Sequence, residues 1–237
     1  MHHIPKPKDS DAPRNFRQWL ARHPNARYSN LHNPLVKSEL KESLIRRQGF
    51  ICCYCETRIF DEISHIEHIE PQFGGESKKT LMYSNMAASC IKDPKKKDGK
   101  PQFVKESIIH CGHARGTNEV VSPYESKCDY LFEYSFSGEI RPNSKLTDKN
   151  DKMLAINSIG FLRLNVPSLM VSRKIAMVEA MKLYQSGVRE AKIFGKLDAK
   201  LIPFWSAAKF AIEKLKERIA QRTSMQSVNE SSILNKS

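Results

Sequence analysis

The sequence predicts an α+β fold, in which a small β-containing unit is followed by a helical region. The unit is expected at residues 49–122, where residues 50–70 place cysteine, aromatic and histidine residues in short β-like runs. From about residue 148, apolar residues recur at steps of three and four, the period of an amphipathic helix. A chain of 237 residues is long enough to bury a core of this kind.

Residues 1–48 are predicted to form an N-terminal extension with helices. The first residues are rich in proline and lysine and are expected to be extended. A short helix is expected around Phe16–Ala21. A clearer helix is expected from Pro34 to Gln48, because leucine and isoleucine share one side and Gly49 provides a stop signal.

Residues 123–222 are predicted to contain a hairpin and then a helical region. Leu131–Phe136 and Glu139–Arg141 flank Ser137-Gly138, a typical turn sequence between two strands. The last segment, residues 223–237, is rich in serine, asparagine and glutamine, a composition that predicts a disordered tail.

Three helices are expected near 149–162, 167–185 and 203–221, the last two opened by prolines. Each has an apolar stripe at helical spacing, which is expected to face the core. The stripes are Met153, Ile156, Ile159 and Leu162; Val171, Ile175, Val178 and Met181; and Ala208, Ile212, Leu215 and Ile219.

The charge balance suggests a polyanionic partner. Thirty-nine lysines and arginines face 26 acidic residues, which gives a formal net charge of +13. An ordinary basic soluble protein could have the same composition, so charge alone does not establish a polyanionic partner. The sequence has no apolar run of the roughly 18 residues that a membrane span needs, and its start resembles neither a secretory signal nor an anchor. We therefore expect a cytoplasmic protein.

The cysteine spacing predicts a structural zinc site. Cys52 and Cys55 form a C-x-x-C pair, which can present two thiolates to one tetrahedral ion. Cys90 and Cys111 are the best candidates for the second pair, and His110 or His113 could replace Cys111. The alternative is that these cysteines are merely buried or redox-active. Cys53 is expected to point away from the site, and Cys128 to be a core thiol. In the cytoplasm, thiols or metal ligands are favoured over disulfides.

A second constellation lies between these cysteines. The segment His65–Pro71 alternates polar and apolar residues, so a strand would place Glu67 on one face and His68 on the other, with a twist at the strand end bringing them together. Tyr83–Cys90 contains Asn85 and is interpreted as a helix entry. Taken singly, Asn85 is typical of a helix cap, His113 of a loop, and His65 of a solvent-facing strand position rather than a ligand.

Together these residue types suit phosphodiester hydrolysis. That reaction needs a base to activate water and a cation to neutralise developing charge. A neutral imidazole suits the base, while carboxylate, amide and imidazole groups suit a divalent cation.

The order of these motifs resembles the HNH (ββα-metal) endonuclease superfamily. The matching stretches are CCYC at 52–55, EHIEP at 67–71, SNMAASC at 84–90 and CGHARG at 111–116. The resemblance covers about residues 49–116. It implies a ββα-metal core with a zinc knuckle, flanked by the N-terminal helix and the C-terminal helical region.

The resemblance also implies a role for each residue. His68 would be the general base, Glu67 and His113 ligands of a catalytic Mg²⁺ or Mn²⁺, and Asn85 the residue that orients the base loop. The structural ion would be Zn²⁺. The sequence departs from the family pattern where Gly112 separates the last cysteine from His113, and where twenty residues split the second cysteine pair.

The basic loop at 92–100 is a candidate nucleic-acid contact, through Lys95, Lys96 and Lys97. Arg115, the basic residue that ends the last motif, is a further candidate. The alternative for the loop is a solvated segment that touches nothing.

A narrower resemblance includes the helical half with Leu164–Pro167 and Arg173. In this respect the chain is similar to the retron- and Septu-associated HNH nucleases, bacterial anti-phage effectors that act with an ABC-type ATPase. This implies an ATPase partner, and allows a retron reverse transcriptase with its RNA–DNA as another. DNA is the favoured substrate. The alternatives are the same chemistry on RNA such as tRNA, or a non-catalytic zinc-binding nucleic-acid module.

Overall fold

A computed structural model of the protein describes residues 1–71, 78–91, 96–97, 100–101 and 109–234. Within these ranges, helices are combined with three two-stranded antiparallel sheets. The α+β class predicted from the sequence is therefore confirmed.

The elements follow one another along the chain from an N-terminal helical pair to a long C-terminal helix. The helices are α1 (Arg14–Arg22), α2 (Pro34–Arg47), α3 (Gly112–Arg115), α4 (Lys149–Phe161), α5 (Pro167–Gln185), α6 (Glu190–Phe194) and α7 (Trp205–Leu234). The strands are β1 (Ser64–His68), β2 (Met86–Cys90), β3 (Lys96–Lys97), β4 (Lys100–Pro101), β5 (Phe132–Tyr134) and β6 (Ile140–Pro142).

Both N-terminal helices lie where the sequence predicts them. Helix α2 begins with proline at its first position, and the Asn33 side chain accepts hydrogen bonds from the backbone N–H groups of Leu35 and Val36. Its buried side consists of Val36, Leu40, Leu44 and Ile45. The helix ends just before Gly49, which has a φ of +67°.

The predicted helix entry at Tyr83–Cys90 is wrong. Tyr83–Asn85 form a single 3₁₀ turn, and Met86–Cys90 form strand β2. This strand pairs with β1 in antiparallel register, with His68 opposite Met86 and Ser64 opposite Cys90. All five β2 residues are buried. Backbone groups that do not pair with β1 find other partners: Gln48 hydrogen-bonds to the N–H and the carbonyl of Ala88, and the Tyr124 hydroxyl donates to the carbonyl of Met86. A short run of this kind does not distinguish a buried strand from a buried helix by its sequence alone.

The predicted hairpin is confirmed as β5 and β6. Gly138 in its turn has a φ of +90°, and a Cβ atom here would lie 1.9 Å from the carbonyl oxygen of Met170. Arg173 of α5 donates hydrogen bonds to the carbonyl oxygens of Gly138 and Leu164. The hairpin is thereby fixed against the helical half.

The apolar stripes predict the buried face in the first turns of α7 but not in α5. Ala208 and Ile212 are buried, although Ile219 is 48% exposed. Val171 and Ile175, by contrast, are 58% and 52% exposed. Helix α5 instead buries Leu169, Arg173, Met177 and Ala180. Because α5 carries apolar residues on more than one side, its period does not identify the inward face. In α4, Met153 and Ile156 are likewise exposed while Leu162 is buried.

The expected disordered tail is also contradicted up to Leu234, because α7 continues through Thr223 to that residue. Serine, asparagine and glutamine are only slightly unfavourable in a helix. Adding residues to a helix that packing has already nucleated costs little.

One hydrophobic core joins the three regions of the chain. Its members come from the N-terminal extension (Ile4, Phe16), from the β-containing unit (Ile59, Met86) and from α7 (Ala211), among others. A smaller cluster of Ala180, Ile193, Ala208 and Ile212 lies between α5, α6 and α7. In the described part of the chain, no helix is both long and apolar enough to cross a membrane.

Glu56 links the cysteine-rich turn to helix α7. Its buried carboxylate accepts hydrogen bonds from the backbone N–H and the hydroxyl of Ser206, at 2.8 and 2.5 Å, and lies 3.4 Å from the amino group of Met1. Its own carbonyl accepts from Phe204 N–H at 2.9 Å. Burial opposes ionisation, but the amino group and Ser206 outweigh it and lower the pKa of Glu56. A negative charge near the N-terminus of a helix also interacts favourably with the helix dipole, so the Glu56 carboxylate stabilises the start of α7.

We predict that Glu56→Gln lowers the free energy of unfolding by about 3–5 kcal/mol, because it removes the negative charge from a buried ion pair and leaves the positive charge without its partner. Urea denaturation measures this change. The matched control is Glu139→Gln, which removes a surface pair with Arg141 and should cost under about 1 kcal/mol. Equal effects of the two variants would contradict the role of Glu56.

Candidate active site beside a four-cysteine cluster

Four buried cysteines meet at one point, as their spacing predicts. The sulfur atoms of Cys52, Cys55, Cys90 and Cys111 all lie within 4.8 Å of one another. The Sγ atoms of Cys55 and Cys90 are 3.6 Å apart. Two thiolates of a tetrahedral zinc ion, at about 2.3 Å from the metal, would be about 3.8 Å apart. The cluster can therefore hold a metal ion such as zinc.

Three separate elements supply these thiols. Cys52 and Cys55 lie in the turn that follows α2, Cys90 is the last residue of β2, and Cys111 directly precedes α3. A metal here would fasten together parts of the chain that are far apart in sequence. All six cysteines belong to the described residues and are free thiols.

The surroundings favour the thiolate at Cys52 and Cys55, whereas burial and the neighbouring cysteines raise the pKa of the Cys90 and Cys111 thiols. The backbone N–H of Cys90 donates to Cys52 Sγ at 3.3 Å, and His110 Nδ1 lies 3.1 Å from Cys111 Sγ. Burial raises the pKa of the Cys52 thiol, but hydrogen bonds from the neighbouring cysteines outweigh it and lower this pKa well below its usual value. Cys111 completes the set, and His110 contacts it as a neighbour. Cys53 is outside the set, and Cys128 is a buried core thiol, both as predicted.

Strand β1 runs beside this cluster and divides its polar side chains between two faces. His65 and Glu67 share one face, as alternate residues of a strand do, and His65 Nε2 lies 3.4 Å from Glu67 Oε2. Glu67 Oε1 accepts from the Tyr54 hydroxyl at 3.1 Å and from Arg115 at 2.9 Å. Burial would raise the pKa of Glu67, but the contacts with His65 and Arg115 lower it.

The position of Arg115 does not support the prediction that it binds nucleic acid. It is only 2% exposed, and besides Glu67 it donates to the Tyr54 hydroxyl and to the carbonyl oxygens of His68, Ile69 and Asn118. A buried carboxylate requires a cationic partner, and Arg115 is that partner for Glu67. Its hydrogen bonds are made within the protein.

His113 of α3 joins the face that carries Glu67. Its ring centroid lies 4.2 Å from that of His65, and its Nε2 lies 3.0 Å from the carbonyl oxygen of Ile91. A Cβ atom at Gly112 would lie 2.3 Å from Glu67 Oε2 and 2.7 Å from His65 Nε2. The glycine that interrupts the family pattern is thus the residue that lets α3 approach β1.

His68 lies on the other face of β1. Its Nε2 is 2.8 Å from the carbonyl oxygen of Thr80, and its ring meets the Tyr28 ring edge-on, with centroids 4.7 Å apart. Burial lowers the pKa of His68 below its usual value. The imidazole therefore favours its neutral form.

Asn85 hydrogen-bonds to both ends of the segment that connects β1 and β2. Its Oδ1 accepts from the backbone N–H of Glu70 at 2.8 Å, and its Nδ2 donates to the carbonyl oxygens of Glu70 and Lys79. Since Lys79 directly precedes Thr80, these hydrogen bonds of Asn85 position the Thr80 carbonyl that His68 contacts. Asn85 acts here on a loop, rather than as a helix cap.

The predicted catalytic residues thus form two groups on either side of β1. Glu67 and His113 lie together with His65, while His68 and Asn85 meet through the segment at Lys79–Thr80. His65 was interpreted as a solvent-facing residue, but its side chain is only 20% exposed. Its position two residues before Glu67 on the same strand was the signal that could have identified it.

Two further contacts lie beyond the predicted set. Tyr54, between the paired cysteines, reaches Glu67, and the Ile91 carbonyl reaches both His65 and His113. A backbone carbonyl has no sequence signature. In the basic loop, Lys95 lies outside the described residues. Lys96 and Lys97 contribute backbone to β3, so contact of these lysines with nucleic acid stays a prediction.

Comparison with known proteins adds one relative. No family model matches the chain. The chain is 29% identical over 141 residues to a protein of Vibrio cholerae serotype O1 biovar El Tor named "Retron Vc95 putative HNH endonuclease". The match covers 59% of this chain and 63% of the relative, so the chain spans less than two thirds of that protein. The likeness supports a nuclease role.

We predict one tightly bound zinc ion per chain, measured by elemental analysis of the purified protein. Cys52→Ser should lose this zinc and lower the melting temperature, because metal binding contributes directly to folding. Cys53→Ser is the matched control, since this buried neighbour lies outside the cluster and its variant should keep the zinc. Zinc-free protein with unchanged stability would refute the site.

We predict that Gly112→Ala lowers the free energy of unfolding by about 1–3 kcal/mol, because the new methyl group overlaps the Glu67 carboxylate. Gly160→Ala is the control: a Cβ there meets no atom within 4 Å, and alanine in a helix is favoured over glycine by about 0.5–1 kcal/mol. Thermal denaturation compares the two, and a neutral Gly112→Ala would show that the close approach is unimportant.

Proposed function

We propose that the chain is a metal-dependent HNH endonuclease that hydrolyses phosphodiester bonds of nucleic acid. The antiparallel pair β1–β2 followed by α3 gives the order of a ββα unit, and the four cysteines surround it. The name of the Vibrio relative supports the same assignment.

The observation that carries the proposal is the orientation of His68. A carbonyl oxygen only accepts hydrogen bonds, so the contact with Thr80 assigns the proton of the neutral ring to Nε2. The unprotonated nitrogen is then Nδ1, which can take a proton from a water molecule. The lowered pKa keeps the ring neutral near neutral pH. Asn85 supports this orientation by fixing the loop that carries Thr80.

The opposite face of β1 supplies donors for a divalent cation. The ionised Glu67 and the His113 imidazole offer oxygen and nitrogen, a set that suits Mn²⁺ or Mg²⁺. His68 is the last residue of β1, so a phosphate bound at that end of the strand would have to reach both faces for such a cation to neutralise its developing charge. Arg115 and Tyr54 hold one oxygen of Glu67 and thus fix the direction of the other.

The substrate proposal is DNA, with RNA such as tRNA as the second candidate. The net charge of +13 favours either polyanion. A role in anti-phage defence with an ABC-type ATPase follows from the resemblance to retron- and Septu-associated nucleases. The exposed apolar side chains of α4 and of α5 offer surface to which a protein partner could bind. They are Met153, Ile156, Val171, Ile175 and Val178.

We predict that His68→Ala lowers cleavage by at least about 100-fold, the smaller end of what a general base contributes. Its zinc content should be unchanged, because His68 lies outside the cysteine cluster. Plasmid DNA and total tRNA are each incubated with Mg²⁺, Mn²⁺ or EDTA, and products are resolved on gels. His32→Ala, which alters an exposed histidine, is the control. Wild-type protein with zinc bound but no cleavage under any condition would favour the non-catalytic module.

A further inference from the structure

A tyrosine from the N-terminal extension packs against the His68 imidazole. Tyr28–Asn30 form a 3₁₀ turn, in which the Asn30 side chain accepts a hydrogen bond from the backbone N–H of Arg27. The Tyr28 ring meets the His68 ring at an interplanar angle of 81°, with centroids 4.7 Å apart. The proposed general base therefore lies beside a residue that precedes all four motifs of the HNH pattern.

A lysine of α2 lies over the same tyrosine. Lys37 Nζ is 5.3 Å from the centroid of the Tyr28 ring, within the range of a cation–π contact. Because Tyr28 contacts both the ammonium group and the His68 imidazole, the two groups lie beside one ring. Another lysine in this region, Lys79, is paired with the Glu70 carboxylate. Lys37 therefore brings a positive charge to the side of β1 that carries His68.

The charge of Lys37 has no partner or role within the described part of the chain beyond this ring. It forms no ion pair with the described residues. By contrast, Lys216 lies 5.7 Å from the Tyr184 ring centroid but is also paired with Glu190. Lys37 is the fourth residue of α2, where a positive charge interacts unfavourably with the helix dipole. Its ammonium group is therefore available to an anion.

The Tyr28 hydroxyl offers a hydrogen-bond donor beside that ammonium group. Burial raises the pKa of Tyr28 to about 12, so the hydroxyl keeps its proton near neutral pH. It makes no hydrogen bond within the ranges that the structure describes, and solvent reaches its oxygen. Lysine and tyrosine side chains are both common donors to phosphate oxygens in protein–nucleic acid complexes.

We propose that Lys37 and the Tyr28 hydroxyl bind a backbone phosphate of the nucleic acid beside His68. The proposal rests on the proposed nuclease function and deepens it, because it assigns the part of the substrate that lies next to the general base. Phosphate contacts fix the position of a strand and carry no sequence information directly. The N-terminal extension would thus position the strand without selecting its sequence.

The test is binding of a short fluorescein-labelled DNA duplex, and of labelled tRNA, to the full-length, zinc-loaded protein without added Mg²⁺ or Mn²⁺. Fluorescence anisotropy measures Kd at several salt concentrations. Lys37→Ala should weaken binding about ten-fold and lower the slope of log Kd against log salt by about one, because one phosphate contact is lost. Tyr28→Phe should weaken binding about five-fold at an unchanged slope, since it removes a hydrogen bond but no charge. Lys37→Arg should restore both quantities.

Lys216→Ala is the matched control, because it removes a lysine with the same kind of ring contact from the helical half. It should bind nucleic acid as the wild type does. The melting temperature of Lys37→Ala should equal that of the wild type, whereas a purely structural role would lower it and leave the salt slope unchanged. An unchanged slope in Lys37→Ala, or an equal loss of affinity in Lys216→Ala, overturns the proposal.

Steady-state cleavage distinguishes failure of this proposal from failure of the nuclease assignment. Lys37→Ala should raise KM about ten-fold and leave kcat unchanged, because a contact made equally in the ground state and the transition state affects only substrate binding. Wild-type affinity and KM in Lys37→Ala overturn the phosphate contact and leave the nuclease assignment standing. Weakened binding by Lys37→Ala in a protein that cleaves nothing supports the phosphate contact and contradicts the nuclease.

Discussion

The convergence of four thiols at one point is the constraint on which the rest of the molecule depends. Cys52 and Cys55 lie before β1, Cys90 ends β2, and Cys111 directly precedes α3. Strands β1 and β2 have only five residues each and α3 only four, so these elements have little apolar surface of their own to bury. A shared metal ion would replace that missing surface and set the relative position of the elements that carry Glu67, His65 and His113.

The residues of the candidate site were more predictable from the sequence than their arrangement. Cysteine spacing identifies Cys52 and Cys55, and the preference of a metal for particular ligand types makes Cys90 and Cys111 the best candidates for the other two ligands. The roles of Arg115 and His65 were not predicted, since the sequence does not show which charged residue is buried beside Glu67. The contact of Ile91 is made by its backbone, which every residue type shares.

The fold shows the same division between local and tertiary determinants. Gly49 and Gly138 predict the end of α2 and the hairpin turn, because the φ angles that these glycines adopt are local features of the chain. The inward face of α5 depends instead on what packs against it. The buried guanidinium of Arg173 donates hydrogen bonds to two carbonyl oxygens, one in the hairpin turn and one at Leu164. The period of the apolar residues does not reveal these contacts.

The Glu56 contact has a consequence for how the protein can be divided. Its carboxylate joins the cysteine turn to the first turn of α7, about 150 residues later in the chain. A shortened protein that lacks α7 would leave this buried carboxylate without Ser206, next to two of the four thiols. The helical half is therefore not a detachable appendage, and surfaces on it are better altered by substitution than by removal.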